Sequence, residues 1–427
     1  MSICASMKGG FGHFDRDMLN RVVFNRSLFM RLSAISLVAC LAAGFFFAGS
    51  MFAGPVIAAP CGGDFNDFKA AMAAEARAAG LAAPAISAFL DGAQRDGAVI
   101  KADRNQGVFR KTFLDFSQSL ISKSRISGAA AASQTYDSIF AAAEAKYGVS
   151  RGIILSFWAF ETDFGKVQGD FNTRNALVTL AHDCRRPEMF QPQVIAAIAL
   201  TGMGDIDPDR TQGAWAGEIG MVQMLPRDIL ERGVDGDGDG HITLKTSVAD
   251  AVLSAARMLQ HHGWRAGEPW LQEVVLPEGL DWSKTGLDTE LPASQWAAMG
   301  VQARAGQLAN LPASILLPQG RMGPAFITYP NYKVLFEWNK SFVYVTTAAY
   351  FGTRIQGAAA YRAGKPDPAL SMAQLVALQT TLSAMGYDMG KIDGIIGANT
   401  RRAVQAEQKR LGLPADGWPT AALVAAL

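Results

Sequence analysis

The chain has no excess of charge of either sign. Its 427 residues carry 39 Lys and Arg against 38 Asp and Glu, a formal net charge of +1. No basic stripe runs along it. This argues against nucleic acid as the main partner, because phosphate binding needs a concentrated basic face. Period-two alternation is also scarce, with residues 325–329 as the best short strand candidate, so a sheet-dominated fold is not expected. No long low-complexity tract interrupts the chain. Cysteine is sparse, at four residues. What is abundant is apolar: 49% of the residues are hydrophobic, enough for a sizeable core, and the length allows two or three domains.

The first sixty residues read as an export signal. Arg16, Arg21, Arg26 and Arg31 precede an uncharged apolar segment, residues 32–59, which ends in Val56-Ile57-Ala58-Ala59-Pro60. A basic start, an apolar middle and a small-residue cleavage site mark a secretory signal. A start at Met18 or Met30 would give a more ordinary basic region. The segment is also long enough to stay as a membrane anchor, and Leu37-Val38-Ala39-Cys40 has the form of a lipidation site. Soluble export leads these readings. Cleavage near Ala59 removes Cys4 and Cys40 and leaves Cys61 and Cys184, an even pair. In an exported protein the expectation is a disulfide between them, with two buried thiols as the alternative.

Residues 64–356 are patterned mainly as helix. Amphipathic stretches cover 64–79, 84–92, 133–147, 187–200 and 247–262, with Pro84 and Pro187 as first-turn residues. Ser150 is placed to cap a helix over 151–162, with Gly165 just beyond its end. Residues 357–370, rich in Gly, Ala and Pro, read as a linker, and a compact module follows over 371–427.

Among these helical stretches a single carboxylate stands out. Glu161 follows an almost unbroken apolar run, residues 153–160, in Phe157-Trp158-Ala159-Phe160-Glu161-Thr162-Asp163-Phe164-Gly165. Burial beside those rings would disfavour the ionised form and raise its pKa. A carboxylic acid kept protonated near neutral pH suits glycosidic-bond cleavage, because the leaving oxygen needs a proton. The plain alternative is a helix-end glutamate that reaches water.

Three further segments carry polar chemistry. His182-Asp183-Cys184-Arg185-Arg186 offers two cations that could hold an acidic or polar substrate, or simply form a solvated helix end. Residues 213–226, with three glycines and Gln223, imply tight turns or close backbone approach to a ligand. The Gln223 amide both donates and accepts, which suits an acetamido or hydroxyl group. The third is Asp235-Gly236-Asp237-Gly238-Asp239-Gly240-His241. Carboxylates at positions one, three and five with Gly at six match the first half of a calcium loop, the His241 backbone carbonyl would serve at seven, and Thr246 stands where the closing Glu is usual. Asp250 is placed to close the sphere instead. An acidic turn without a metal is the alternative.

In this order, these motifs together with Gly263-Trp264 and Trp338-Asn339-Lys340-Ser341 resemble the membrane-bound lytic transglycosylase B family, over residues 61 to about 355. The resemblance implies a mainly α, lysozyme-like domain with an SLT-type site. It implies cleavage of the β-1,4 bond between N-acetylmuramic acid and N-acetylglucosamine, without added water, to give 1,6-anhydromuramoyl ends. Glu161 matches the family's sole catalytic acid, and Gln223, Arg185, Arg186 and Asn339 match substrate-cleft positions. Asp235, Asp237, Asp239, His241 and Asp250 match the calcium loop, a structural Ca²⁺ being the only cofactor implied. Ala214 stands where the family often has Ser, and Met189 where a cleft Tyr is common. The module over 371–427, with Asp393-Gly394 and Asp416-Gly417 as turns, resembles the small three-helix peptidoglycan-binding domain type one. Peptidoglycan strands are then the expected partner, the periplasm the expected place and a monomer the expected state. A muramidase-type hydrolase and a non-catalytic wall-binding scaffold remain as the other readings.

Overall fold

The computed structural model describes residues 59–105 and 111–427. The export segment, its anchor and lipidation alternatives, and Cys4 and Cys40 lie outside the described residues.

The helices begin where the sequence offers caps. Helix α1 (Phe65–Ala78) starts at Asp64, whose carboxylate accepts from the Asn66 and Asp67 amides. Then come α2 (Ala83–Leu90), α3 (Gly97–Arg104), α4 (Phe113–Leu120), α5 (Lys123–Thr135) and α6 (Asp137–Tyr147). The sequence suggests one helix over 133–147, but the structure breaks it at Tyr136, with φ −112° and ψ 30°. Helix α7 (Arg151–Thr162) is capped by the Ser150 hydroxyl and buried from Gly152 to its end. Helices α8 (Thr173–His182) and α9 (Pro187–Met203) come next, followed by α10 (Pro226–Arg232) and α11 (Val248–His261), the last capped by Ser247. Helix α13 (Pro330–Trp338) and helix α14 (Phe342–Ile355) close this domain, and α14 packs along α7.

Between α11 and α13 lies a feature that the sequence hardly marks. Five short strands form an antiparallel sheet: β3 (Leu271–Val275), β4 (Leu291–Pro292), β5 (Gln302–Ala303), β6 (Pro312–Leu316) and β7 (Phe326–Thr328). Their spatial order is β4-β6-β7-β3-β5. Strand β7 falls within the 325–329 candidate read from the sequence, whereas residues 313–316 of β6 are buried and carry no polar alternation. The sheet carries its own core with α12 (Ala293–Ala298), around Trp296, Ile315 and Ile327. It is tied to α14 where the Trp270 indole donates to the Ala349 carbonyl at 2.8 Å. Strands β1 (Phe171–Asn172) and β2 (Gln212–Gly213) pair separately.

The C-terminal module holds α15 (Met372–Ala384), α16 (Ala398–Arg410) and α17 (Ala421–Ala426) around Leu378, Leu382, Val404 and Leu423. Two buried glutamines fasten its turns. Gln379 accepts from the Asp393 and Gly394 amides, and Gln408 accepts from the Gly417 amide. The molecule is mainly helical, with the sheet as a subordinate layer. No helix among the described residues is long and apolar enough to cross a membrane.

Candidate active site

Glu161 is the penultimate residue of α7 and is only 2% exposed. Two side chains from the opposite wall donate to the same carboxyl oxygen. The Trp338 indole reaches Oε1 at 2.9 Å and the Tyr344 hydroxyl at 2.6 Å. Trp338 ends α13 and Tyr344 sits in the first turn of α14, so the junction between those helices supplies both donors. Phe157, one turn before Glu161, stacks on Trp338 with ring centroids 4.4 Å apart. Tyr344 lies outside the residues picked from sequence. Its only signal there is a phenol in the apolar run Phe342-Val343-Tyr344-Val345, which burial obliges to find a partner.

The backbone after Glu161 turns sharply. Asp163 and Phe164 take left-handed conformations, φ 50° and 61°, and Gln223 takes φ 51°. Among the described residues these are the three non-glycine positions with positive φ. Such residues cost energy and persist where surrounding contacts over-determine them. Here the contacts are visible. Thr162 donates to the Met221 carbonyl at 2.6 Å and accepts from the Gly165 amide. The Gln223 amide group donates to the carbonyls of Gly220, at 2.8 Å, and Gln168. The end of α7 and the loop over 213–225 are therefore laced into one unit. Gly217 and Gly220, with φ 85° and 81°, are packed so closely that a Cβ would meet Leu177 and Leu244.

The sequence-picked polar residues fall into separate places. Gln223 is fully buried, its amide turned onto backbone carbonyls. Asn339 is also fully buried and accepts from the Ser341 amide at 2.8 Å, just before α14. Arg185 and Arg186 both reach the carboxylate of Asp103, itself 1% exposed on α3. Arg186 also lies 5.0 Å from the Phe190 ring centre. Both arginines thus have an internal anion. Asp163 faces Arg125 at 3.5 Å and Lys166 at 3.8 Å. Glu218 is buried within the 213–225 loop.

Asp235, Asp237 and Asp250 offer carboxylate oxygens within 4.8 Å of one another. Asp250 reaches this point from α11, also accepting from the Gly236 and Thr243 amides. Asp239 turns onto the His241 amide, and the His241 ring pairs with Asp205 at 3.0 Å. Three hard oxygen donors this close fit a calcium ion in chemistry. The loop touches the Glu161 side of the molecule through Leu244, whose carbonyl accepts from the Met221 amide at 2.9 Å. Burial pulls the neighbouring Lys245 ammonium below its usual range. Cys61 and Cys184 form a disulfide, with Cα atoms 5.2 Å apart.

Residues 64–353 match the family described as the transglycosylase SLT domain, about two-thirds of the chain. The chain belongs to that family. Residues 371–427 match the family described as a putative peptidoglycan-binding domain. Among solved structures, the SLT chain resembles SltB3 from Pseudomonas aeruginosa in complex with NAG-anhNAM-pentapeptide. The TM-score is 0.78 at 35% identity, covering 86% of this chain and 99% of that one. It also resembles Slt35 of Escherichia coli in complex with calcium, with TM-score 0.58 at 26% identity over 70% of this chain and 96% of that one. The membrane-bound lytic murein transglycosylase B of Escherichia coli strain K12 is 30% identical over 212 residues. That match takes in 49% of this SLT chain, which spans 58% of the curated relative's length.

Proposed function

We propose that the protein is a peptidoglycan lytic transglycosylase in which Glu161 is the single acid and base. The observation that carries this reading is the buried Glu161 carboxyl, with its Oε1 gripped by Trp338 and Tyr344. The protonated Glu161 carboxyl gives its proton to the glycosidic oxygen as the bond from C1 of N-acetylmuramic acid breaks. The carboxylate left behind takes the proton of the C6 hydroxyl as that oxygen bonds to C1. The products are a free 4-hydroxyl and a 1,6-anhydro end, with no water consumed. Trp338 and Tyr344 stabilise the charge that Glu161 carries between the two proton transfers.

A hydrolase of this kind wants a second carboxylate placed for nucleophile or water. Asp163 is engaged by Arg125 and Lys166 instead, which favours internal attack by the C6 hydroxyl. The anhydromuramoyl ligand in SltB3 is of the same chemical type as the proposed product. Asp235, Asp237 and Asp250 would hold Ca²⁺, which supplies a structural cross-link between the acidic loop and α11 and takes no part in the chemistry. The domain division we propose is a catalytic domain over 61–356, a connector over 357–370 and a wall-binding module over 371–427. The disulfide fits an exported, periplasmic enzyme.

The test is mass spectrometry of fragments released from purified peptidoglycan by the unmutated protein and by Glu161→Gln. Glutamine keeps an oxygen for Trp338 and Tyr344 but has no acidic proton, so the variant is expected to fold and bind without cleaving. Products one water lighter than hydrolytic fragments, and not reducible at the muramic end, are expected from the unmutated protein. Reducible, hydrated ends would make it a hydrolase, and a Glu161→Gln variant that cleaves normally would defeat the assignment of the acid.

A further inference from the structure

Arg401 joins the C-terminal module to the catalytic domain at the start of α14. Arg401, on α16, donates to the carbonyls of Leu317 at 3.2 Å and Pro318 at 2.6 Å. Its guanidinium carbon lies 4.3 Å from the centre of the Phe342 ring and 5.7 Å from that of Trp418. Its Nε is sealed from solvent. A guanidinium over an aromatic face is attracted to the ring, more strongly when water is excluded. Phe342 is the first residue of α14, two residues before Tyr344. The Ser341 hydroxyl that caps this helix accepts from the Tyr344 amide, and Asn339 holds the Ser341 amide. The contacts therefore run from Arg401 to Phe342, within the first turn of α14 to Tyr344, and from its hydroxyl to Glu161.

Other contacts dock the module without touching that turn. Gln405 donates to the carbonyls of Trp282 and Thr285. Asp416 accepts from the Arg321 amide at 2.9 Å. These contacts set a control: docking can be weakened at Gln405 while the Arg401–Phe342 stack stays.

We propose that Arg401 of the C-terminal module is a positioning residue for the acid, acting through Phe342 to fix the turn of α14 that presents Tyr344 to Glu161. The module is then a component of the active-site scaffold as well as a wall anchor. This rests on the reading of Glu161 as the acid, and two readouts separate the failure of one from the failure of the other.

The experiment compares full-length Arg401→Ala, Arg401→Lys, Phe342→Ala, the Arg401→Ala/Phe342→Ala double variant and Gln405→Ala. Cleavage of purified glycan strands gives kcat and KM, and amide hydrogen exchange is followed over residues 339–346. Arg401→Ala is expected to lower kcat by about tenfold with KM little changed, and to speed exchange over 339–346. Phe342→Ala is expected to do the same and the double variant to add little, because both remove one interaction. Arg401→Lys keeps the charge without the flat stack and is expected to lie between. Gln405→Ala is expected to leave kcat and that exchange unchanged. Unaltered kcat and exchange in Arg401→Ala, a change in KM alone, or fully multiplicative effects of Arg401 and Phe342 would each overturn the proposal. If Arg401→Ala fails to fold, Arg401→Lys and Phe342→Ala decide it by the same two readouts. If the unmutated protein releases no fragments, the acid assignment fails and the exchange data alone decide whether Arg401 orders the turn.

Discussion

At the scale of single residues, the burial of Glu161 was legible, Trp338 entered only through the motif it opens, and Tyr344 was not marked at all. Glu161 is singled out by the apolar run Phe157-Trp158-Ala159-Phe160 before it, and its burial removes the alternative of a helix-end glutamate that reaches water. Trp338 and Tyr344 lie 177 and 183 residues later, and no local pattern links them to Glu161. The amides of Gln223 and Asn339 suit a sugar by their chemistry, yet both are buried and turned onto the backbone. Sequence shows which side chains can hydrogen-bond, while the fold decides with whom. The two donors also make a prediction. Tyr344→Phe removes one hydrogen bond to Glu161 and keeps the ring beside Phe157 and Phe160. Hydrogen bonds to charged groups are worth roughly 1.5–3 kcal/mol. If Tyr344 stabilises the carboxylate formed in the reaction, kcat falls by about ten- to a hundredfold while the melting temperature moves by only a few degrees. Steady-state kinetics beside a thermal melt check this, and an unchanged kcat would remove Tyr344 from the mechanism.

At the scale of elements, the helices with local caps and periods were readable, as where Asp64, Ser150 and Ser247 each cap the helix that follows, while α8, α13 and α14 were not individually marked. Of the five-stranded sheet only β7 was marked, by the 325–329 candidate, since the other strands span two to five residues and β6 is largely buried without alternation. Arg185 and Arg186 looked like a loose basic pair because Asp103 lies on another helix more than eighty residues away. The acidic cluster was readable in part: Asp235, Asp237 and Asp250, all picked from the sequence, converge within 4.8 Å, while Asp239 turns onto the His241 amide. Binding of Ca²⁺ by Asp235, Asp237 and Asp250 would stabilise the native state by mass action, about 2.7 kcal/mol at a hundredfold excess over Kd. Chelation is therefore expected to lower the melting temperature by several degrees, with Ca²⁺ restoring it. Because Leu244 carries the loop's position to Met221 and thence to Thr162, chelation is also expected to slow cleavage. Identical melting curves with chelator and with Ca²⁺ would remove the metal from the account.

At the scale of the whole molecule, segments that read as accessory are fastened down. The Gly/Ala/Pro stretch after α14 carries no helix or strand up to Leu370, as its composition suggests. It is nevertheless strapped to the surface by Tyr361, which packs on Tyr350 and hydrogen-bonds Ser117, and by Lys365 on the Met322 carbonyl. The start of the described chain is held just as firmly. The Ala59 carbonyl accepts from Gln191, the Gly62 amide donates to the His182 carbonyl, and Cys61 is bonded to Cys184 across 123 residues of sequence. Closing so long a loop restricts the unfolded chain far more than the folded one, and native disulfides typically contribute about 2–5 kcal/mol. Reduction, or Cys184→Ser, is expected to lower the melting temperature by roughly 3–8 °C. Two thiols are expected to become titratable in denatured protein only after reductant is added. None of the contacts described for Cys61 or Cys184 involves Glu161, Trp338 or Tyr344, so cleavage per folded molecule at low temperature is expected to survive reduction. Loss of cleavage without loss of fold would mean that the α8–α9 corner, held at Cys184, shapes the substrate path. A melting temperature indifferent to reductant would mean that the hydrogen bonds of Ala59 and Gly62 already hold the chain start without the bridge.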